Sequence, residues 1–458
     1  MGLTLGFPRR RPAAARSLGL SLSGDQIPGL AVRTLAAAVL GGCLARGHTI
    51  DQAIATRPEI ADLAPRDRAF LMTLILTTLR RKGEAEAVVA SFLDKPLAKR
   101  AGTAPLILTL AAVQLLFLDQ PPHAVIDLAV RQAKADANAR HFSGLVNAVL
   151  RKVAEHGAKV AGTLDGPRLN TPDWLWQRWH KTFGGDAAHA IAAAHVDEPP
   201  LDLSVKTDAD TWASRLGGVS LPTGSIRLAT VSGGIDRLPG FDDGAWWVQD
   251  AAAALPARLL GNVRNLDVLD ICAAPGGKTL QLAAAGANVT ALDQSAPRLE
   301  RLRENLRRTG LRSGIVTADM LGYEAAQLFD AVLLDAPCSA TGTIRRHPEL
   351  PHIKDGNDIS RLVPVQRLLL AKAATLVKPG GLLVFCTCSL EPAEGERHYE
   401  AFAGKHPNFI VQPVVPGEAG IPAHMITSEG FLRTLPSQSL GESRGLDGFF
   451  AMRLRRVV

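Results

Sequence analysis

At 458 residues the chain is long enough for two or three domains that each bury a core. Hydrophobic residues make up 47% and charged residues 21%, proportions that exclude a disordered or fibrous chain. Net charge +7 suits a polyanionic partner, while an aromatic content of only 5% argues against an extended stacking platform for single strands.

In chain order, residues 1–27 carry Arg9, Arg10, Arg11 and Arg16 with no acid before Asp25, a basic arm without helical or strand pattern. Residues 28–156 read as wholly helical. Leu35–Leu44 and Asp67–Arg80 have apolar residues at helical spacing, and Ala124–Ala135 and Phe142–Val153 are amphipathic. Pro105–Leu118, the longest apolar stretch, is broken by Gln114 and suits a buried helix rather than a membrane span. Asp119-Gln120-Pro121-Pro122 marks a turn. Glycine, proline and asparagine across 157–171 predict a linker. Residues 172–245 are mixed: Trp174, Trp176 and Trp179 crowd one short helix as a packing anchor, and Pro199-Pro200 opens a strand at Leu201–Val205.

From Trp246 to the end, strands alternate with helices. The strands are Leu266–Ile271, Asn288–Asp293, Gly314–Asp319, Phe329–Asp335 and Gly381–Cys386, and Gly448–Val457 closes the set. Helices begin near Lys278, Ser295 and Ile359, and the last ends before Lys378-Pro379-Gly380-Gly381. The alternation predicts an α/β unit with a doubly wound, mostly parallel sheet. No membrane span is expected. Five cysteines without even spacing point to a reducing cytosol, so a cytoplasmic location is expected.

The first of these strands runs into Cys272-Ala273-Ala274-Pro275-Gly276-Gly277-Lys278-Thr279. A tight glycine turn there lets a ligand approach the backbone, with helix N–H groups aimed at it. Cys272 stands where a Walker A loop needs its first glycine. Asp293 ends the next strand, where it can accept both hydroxyls of a ribose, and Asp319 ends the third, within reach of an adenine edge. Acids ending successive strands, without a phosphate cradle, favour S-adenosylmethionine over a dinucleotide.

Two further strands end in cysteines, as Asp335-Ala336-Pro337-Cys338-Ser339 and Cys386-Thr387-Cys388-Ser389. The carboxyl ends of strands are where open α/β sheets carry out chemistry. A reaction that uses two thiols and no metal is methylation of cytosine at carbon 5. A thiolate adds to carbon 6, carbon 5 takes the methyl group, and base-assisted elimination releases the product. Cys388 or Cys338 is the nucleophile, and Asp335 is the carboxyl group that contacts ring N3.

DAPCSATGT with RRHPEL, CTCS followed by Glu394, the CAAPGGKT loop and the final DGFF resemble the RNA 5-methylcytosine methyltransferases. The resemblance implies a Rossmann-like S-adenosylmethionine methyltransferase domain, with Cys388 as nucleophile and Cys338 assisting release. It also implies a cofactor site lined by Cys272–Lys278, Asp293, Asp319 and Asp335. In the helical part, Arg66-Asp67-Arg68, Arg80-Arg81, Pro121-Pro122-His123-Ala124 and Leu145–Arg151 are similar to the NusB RNA-binding fold. An all-α NusB-like domain ahead of such a methyltransferase resembles the RsmB/Sun (Fmu) family, whose substrate is one cytosine of bacterial 16S ribosomal RNA. RNA is then the expected partner, and DNA is not. Other RNA sites, or an RNA-binding protein with an inactive methyltransferase domain, are the rival readings. Three departures from the family pattern stand out. Cys386 takes the place of a usual Ser or Ala, on the strand face of Cys388, where it is expected to oxidise readily. Gly395 takes that of an Asn, and Ser204 and Lys206 those of an Arg and an Asn.

Overall fold

Helical periodicity governs the first part of the chain, and the computed structural model, which describes residues 27–457 apart from 99, 230 and 232, bears this out. The arm predicted at 1–27 lies, but for Ile27, outside the described residues. Helices Leu30–Arg46, Pro65–Ala90, Ala104–Phe117, Pro122–Ala135 and Ser143–Ala161 make up most of the first unit. They enclose a core that includes Val88, Ile107, Leu108, Val125, Val146 and Leu150. Three of these helices carry proline in their first turn, where a missing N–H costs nothing. Gln114 donates its side-chain amide to the Leu110 carbonyl at 2.9 Å, which lets a polar group sit in the most apolar helix. Among the described residues no helix is long and apolar enough to cross a membrane.

The linker expected at 157–171 is mostly helical. Ser143–Ala161 runs on through Gly157, Gly166–Leu169 adds a further turn, and the first compact unit extends through Leu169. Gly157 is a close approach rather than a breaker: a Cβ there would lie 2.9 Å from Leu116 Cδ2.

The second unit begins at Asn170. In its helix Asp173–Phe183, Leu175 and Trp179 are buried against Ile191, Ile344, Leu350 and Leu390, and Trp174 donates Nε1–H to the Pro351 carbonyl at 3.3 Å. The expected strand Leu201–Val205 joins Val219–Ser220, Ile226–Leu228 and Trp246–Val248 in a small antiparallel sheet.

The main sheet consists of β1 (Asp267–Ile271), β2 (Asn288–Asp293), β3 (Gly314–Thr317), β4 (Phe329–Asp335), β5 (Val377–Thr387), β6 (Phe409–Val411), β7 (Leu432–Thr434) and β8 (Phe449–Arg456). Its order is β6-β8-β5-β4-β1-β2-β3, with β7 also paired to β8. Neighbours among β1–β5 run parallel, and β8 runs antiparallel to β5, β6 and β7. Val332, Leu333, Leu334, Leu383, Val384 and Phe385 are all fully buried, as expected for strands covered on both faces. The second unit thus has a Rossmann-like α/β fold, and the first is all-helical.

Two boundaries differ from expectation. The strand expected to begin at Gly381 begins at Val377, so Lys378-Pro379-Gly380-Gly381 lies inside β5. Phe329 pairs with Val377 and Ala331 with Leu382, so the Pro-Gly-Gly segment bulges out of the ladder between them. β3 stops at Thr317, and Asp319 instead caps the short turn Met320–Gly322, accepting the Leu321 N–H at 3.1 Å.

Candidate active site

β1 hands the chain to Cys272, which takes a left-handed conformation (φ +60°). Gly276 follows at φ +112°, where a Cβ would fall 2.2 Å from Leu302 Cδ1, so only glycine fits this turn. Gly277 then opens the helix Gly277–Ala284. The buried Asp293 at the end of β2 ties the loop down, accepting the Ala274 N–H at 3.2 Å and the Ser295 N–H at 2.9 Å. Arg298 approaches the same carboxylate at 3.6 Å and also donates to the Ala274 carbonyl. Ala273 and Ala274 are buried, Cys272 is half-buried and Pro275 is exposed. Burial, with Asp293, Asp335 and Asp270 nearby, pushes the Cys272 thiol well up. Asp319 is exposed.

Lys278 reaches from the start of that helix to Asp335 at the end of β4, with Nζ 2.7 Å from Oδ2. Burial opposes its charge, yet Asp335 and other acidic neighbours hold its pKa above the ordinary lysine value. The ammonium also lies 5.1 Å over the Phe449 ring. Thr279, one residue on, donates to Asp270 at 2.6 Å. Asp270 was not foreseen: it is fully buried in β1, and burial pushes its carboxyl up to about 7.

The two cysteine segments converge. Asp335 pairs in register with Cys386, and beyond these strand ends Cys338 Sγ and Cys388 Sγ stand 3.4 Å apart. Both are half-buried. The hydrogen bond to Cys388, together with burial, pushes the Cys338 thiol well above its ordinary value. Cys386 is fully buried, with its Sγ 3.5 Å from Asp335 Oδ1. Burial and that carboxylate push its thiol well up. The expectation of ready oxidation is therefore corrected, since an enclosed, protonated thiol is inert.

Motifs flanking the cysteines acquire physical roles. Arg345 and Arg346 of RRHPEL clasp Asp250 and Asp447: Arg345 Nε meets Asp447 at 2.7 Å, Arg346 Nη2 meets Asp250 at 2.6 Å, and Arg345 also pairs with Asp250. Asp447 opens the DGFF segment, whose Gly448 donates its N–H to the Gly342 carbonyl at 2.8 Å. Gly342 in turn donates to the Cys388 carbonyl at 3.0 Å. Of the departures, Gly395 makes room for a guanidinium: a Cβ there would lie 2.5 Å from Arg433 Nη2. Arg433 donates to the Ser389 carbonyl at 2.6 Å and pairs with Glu396. Lys206 donates to the Thr309 carbonyl at 2.9 Å, at the end of helix Ala296–Thr309, and Ser204 is buried in its strand.

Comparison with known proteins matches residues 257–455 to the model described as 16S rRNA methyltransferase RsmB/F and residues 30–155 to the NusB family. The ribosomal RNA small subunit methyltransferase B of Sodalis glossinidius is 32% identical over 440 residues, covering 92% of this chain and 97% of that one. Its namesake in Pasteurella multocida is 31% identical over 451 residues, covering 94% and 97%. The chain belongs to the ribosomal RNA small subunit methyltransferase B family. Among solved structures, PH0851 shares the fold (TM-score 0.71, 23% identity, 94% of this chain and 99% of that chain). A methyltransferase homologue from Pyrococcus horikoshii matches at a TM-score of 0.52 with 28% identity, over 61% of this chain and 94% of its own. Family membership joins the two units under one activity class, and the RsmB/F match spans the glycine loop, both cysteines and the DGFF segment.

Proposed function

We propose that this chain forms 5-methylcytosine in 16S ribosomal RNA with S-adenosylmethionine as methyl donor, by a two-thiol mechanism. The observation that carries this reading is the 3.4 Å approach of Cys338 and Cys388 beside the glycine loop. The loop suits the cofactor: a helix opens at Gly277 directly after the turn, which puts its first N–H groups there, and the Asp293 carboxylate stands at the neighbouring strand end. S-adenosylmethionine, when bound, supplies an electrophilic methyl group on its sulfonium sulfur.

Cys388 attacks cytosine carbon 6 as a thiolate, which makes carbon 5 nucleophilic. Cys338 suits the partner role, because a thiol whose pKa is pushed up keeps its proton while a neighbour ionises. Water takes the carbon 5 proton, the carbon 6–sulfur bond breaks, and Cys338 assists release by giving its proton to the departing Cys388 thiolate 3.4 Å away. Asp335, held by Lys278, contacts N3 and steadies the ring. The NusB-like helical unit contributes RNA binding, and the names of the relatives support the small-subunit RNA as substrate.

The two cysteine variants test this. Cys388→Ala should abolish methyl transfer and yield no covalent adduct. Cys338→Ala should transfer the methyl group but accumulate a protein–RNA adduct that survives denaturing electrophoresis. Adduct formation by Cys388→Ala and inertness of Cys338→Ala would reverse the roles. Bisulfite sequencing of 16S RNA from a deletion strain checks the substrate.

A further inference from the structure

We propose that Glu394 is the positioning residue that fixes the two thiols relative to each other, by holding the residues on both sides of each cysteine. The inference rests on the two-thiol reading for its meaning in catalysis, but its geometry is independent of it. Glu394 is fully buried, and the side-chain and backbone groups hydrogen-bonded to its carboxylate are all donors. The Ser339 N–H lies 3.0 and 3.2 Å from its two oxygens, and the Ser339 hydroxyl donates to Oε2. The Ser389 hydroxyl donates to Oε2 at 2.6 Å, and Gln366 Nε2 donates to Oε1 at 3.0 Å. Carboxylate oxygens enclosed by donors away from bulk solvent bind them strongly.

The pattern is symmetrical about the cysteines. Ser389 follows Cys388, and Thr387, which precedes it, donates its hydroxyl to the Glu394 carbonyl at 2.9 Å. Ser339 follows Cys338, and Pro337, which precedes it, accepts at 2.8 Å from the same Gln366 nitrogen that reaches Glu394. Each thiol is thus flanked on both sides by residues bonded to Glu394, directly or through one amide. The amide itself is oriented by His398, whose Nε2 lies 2.7 Å from Gln366 Oε1. Burial lowers the His398 pKa to about 4, so its ring is neutral near pH 7, and Nε2 carries the proton that Gln366 Oε1 accepts. Glu394 touches neither sulfur in this network. It sets where they point.

Two measurements on the full-length protein test the inference. The first is a ruler that needs no RNA: hydrogen peroxide oxidises the two thiols to a Cys338–Cys388 disulfide with release of two waters, followed by peptide mapping. Glu394→Gln keeps the shape but turns one acceptor into a donor facing other donors. It should slow this cross-link about tenfold, since the sulfurs lose their pre-set approach. An unchanged cross-linking rate overturns the inference whatever the RNA assays give. The second uses transcribed 16S RNA and S-adenosylmethionine. Glu394→Gln should lower kcat roughly a hundredfold, the scale of a small misplacement of reacting groups, with the KM for S-adenosylmethionine within about twofold of wild type. It should also accumulate the denaturation-resistant adduct although both cysteines are present, because attack survives while coupling to release is lost. A fall in kcat without adduct, when Cys338→Ala does trap RNA, overturns the inference. Failure of Cys338→Ala to trap would instead sink the two-thiol reading, leaving the cross-linking result to decide on Glu394. If Glu394→Gln does not fold, Ser389→Ala, which removes one hydroxyl, carries both readouts with smaller changes in the same directions.

Discussion

In the helical unit, several buried polar side chains find partners close by in sequence. Thr78 donates to Leu74, Thr109 to Pro105, Gln114 to Leu110 and Arg33 to Gly29, each one helical turn back, while Glu84 meets Arg81. In the α/β unit the buried charges pair across long stretches of chain: Arg345 with Asp250 and Asp447, Lys278 with Asp335, Arg227 with Asp202, Glu394 with Ser339. Both units hide polar groups, but one uses them to complete helices and the other to assemble a site. A buried charge without its partner is costly, so the second pattern makes the fold depend on distant residues meeting.

The largest expected effect tests that dependence. Arg345→Met leaves Asp250 and Asp447 buried with a weakened cation set and should destabilise the α/β unit by about 3–5 kcal/mol, measured by denaturant unfolding. A loss below that of an ordinary core truncation would break the contrast between the units. Asp270→Asn tests the opposite sign. Asp270 faces Thr279, Lys278, Asp335 and Asp293, and its folded pKa of about 7 exceeds the ordinary aspartate value. The native state therefore holds a proton that the unfolded chain gives up, and stability falls as pH rises from about 4 to 7. The Asn variant should lack this slope and gain roughly 2–3 kcal/mol above pH 7, read from melting curves across that range. Asp293→Ala should weaken S-adenosylmethionine binding by about 1–3 kcal/mol in calorimetry, through unpaired ligand hydroxyls and a released Ala274 N–H. Unchanged affinity would put the cofactor elsewhere. Smallest of all, Thr109→Val in the helical unit should cost about 1 kcal/mol, because the bond it removes is a single local one.

The same contrast explains what was legible beforehand. Helices and parallel strands were readable because periodicity is local, and the glycine turn and paired cysteines announced themselves by residue type. The Arg345–Asp250–Asp447 cluster was visible only as motif letters, since its partners lie far apart in sequence. Glu394 is visible in the sequence only as a letter of the motif after CTCS, because its partners Ser339 and Gln366 lie 55 and 28 residues away. Misreadings arose where one residue type serves two ends. Gly157 and Gly380-Gly381 looked like breaks but are a close contact and a bulge, and Cys386 looked reactive because a strand pattern does not reveal the depth of burial. Asp319, expected at a strand end, caps a turn, the role a short acid often takes.

The contact of Gly342 with Gly448 has a temporal consequence. A Cβ at Gly342 would fall 1.9 Å from the Gly448 carbonyl oxygen, so the loop between the two cysteines is shaped directly by the backbone just before β8. A ribosome delivers the helical unit, the glycine loop and both cysteines before it delivers residues 447–456. Until those emerge, Arg345 and Arg346 lack Asp447, β5 has an open edge, and the Gly342 carbonyl lacks the Gly448 N–H. The helical unit can fold as it is made, in the N-to-C order usual for multidomain chains. The packing around the catalytic centre is therefore completed only once residues 447–456 have emerged.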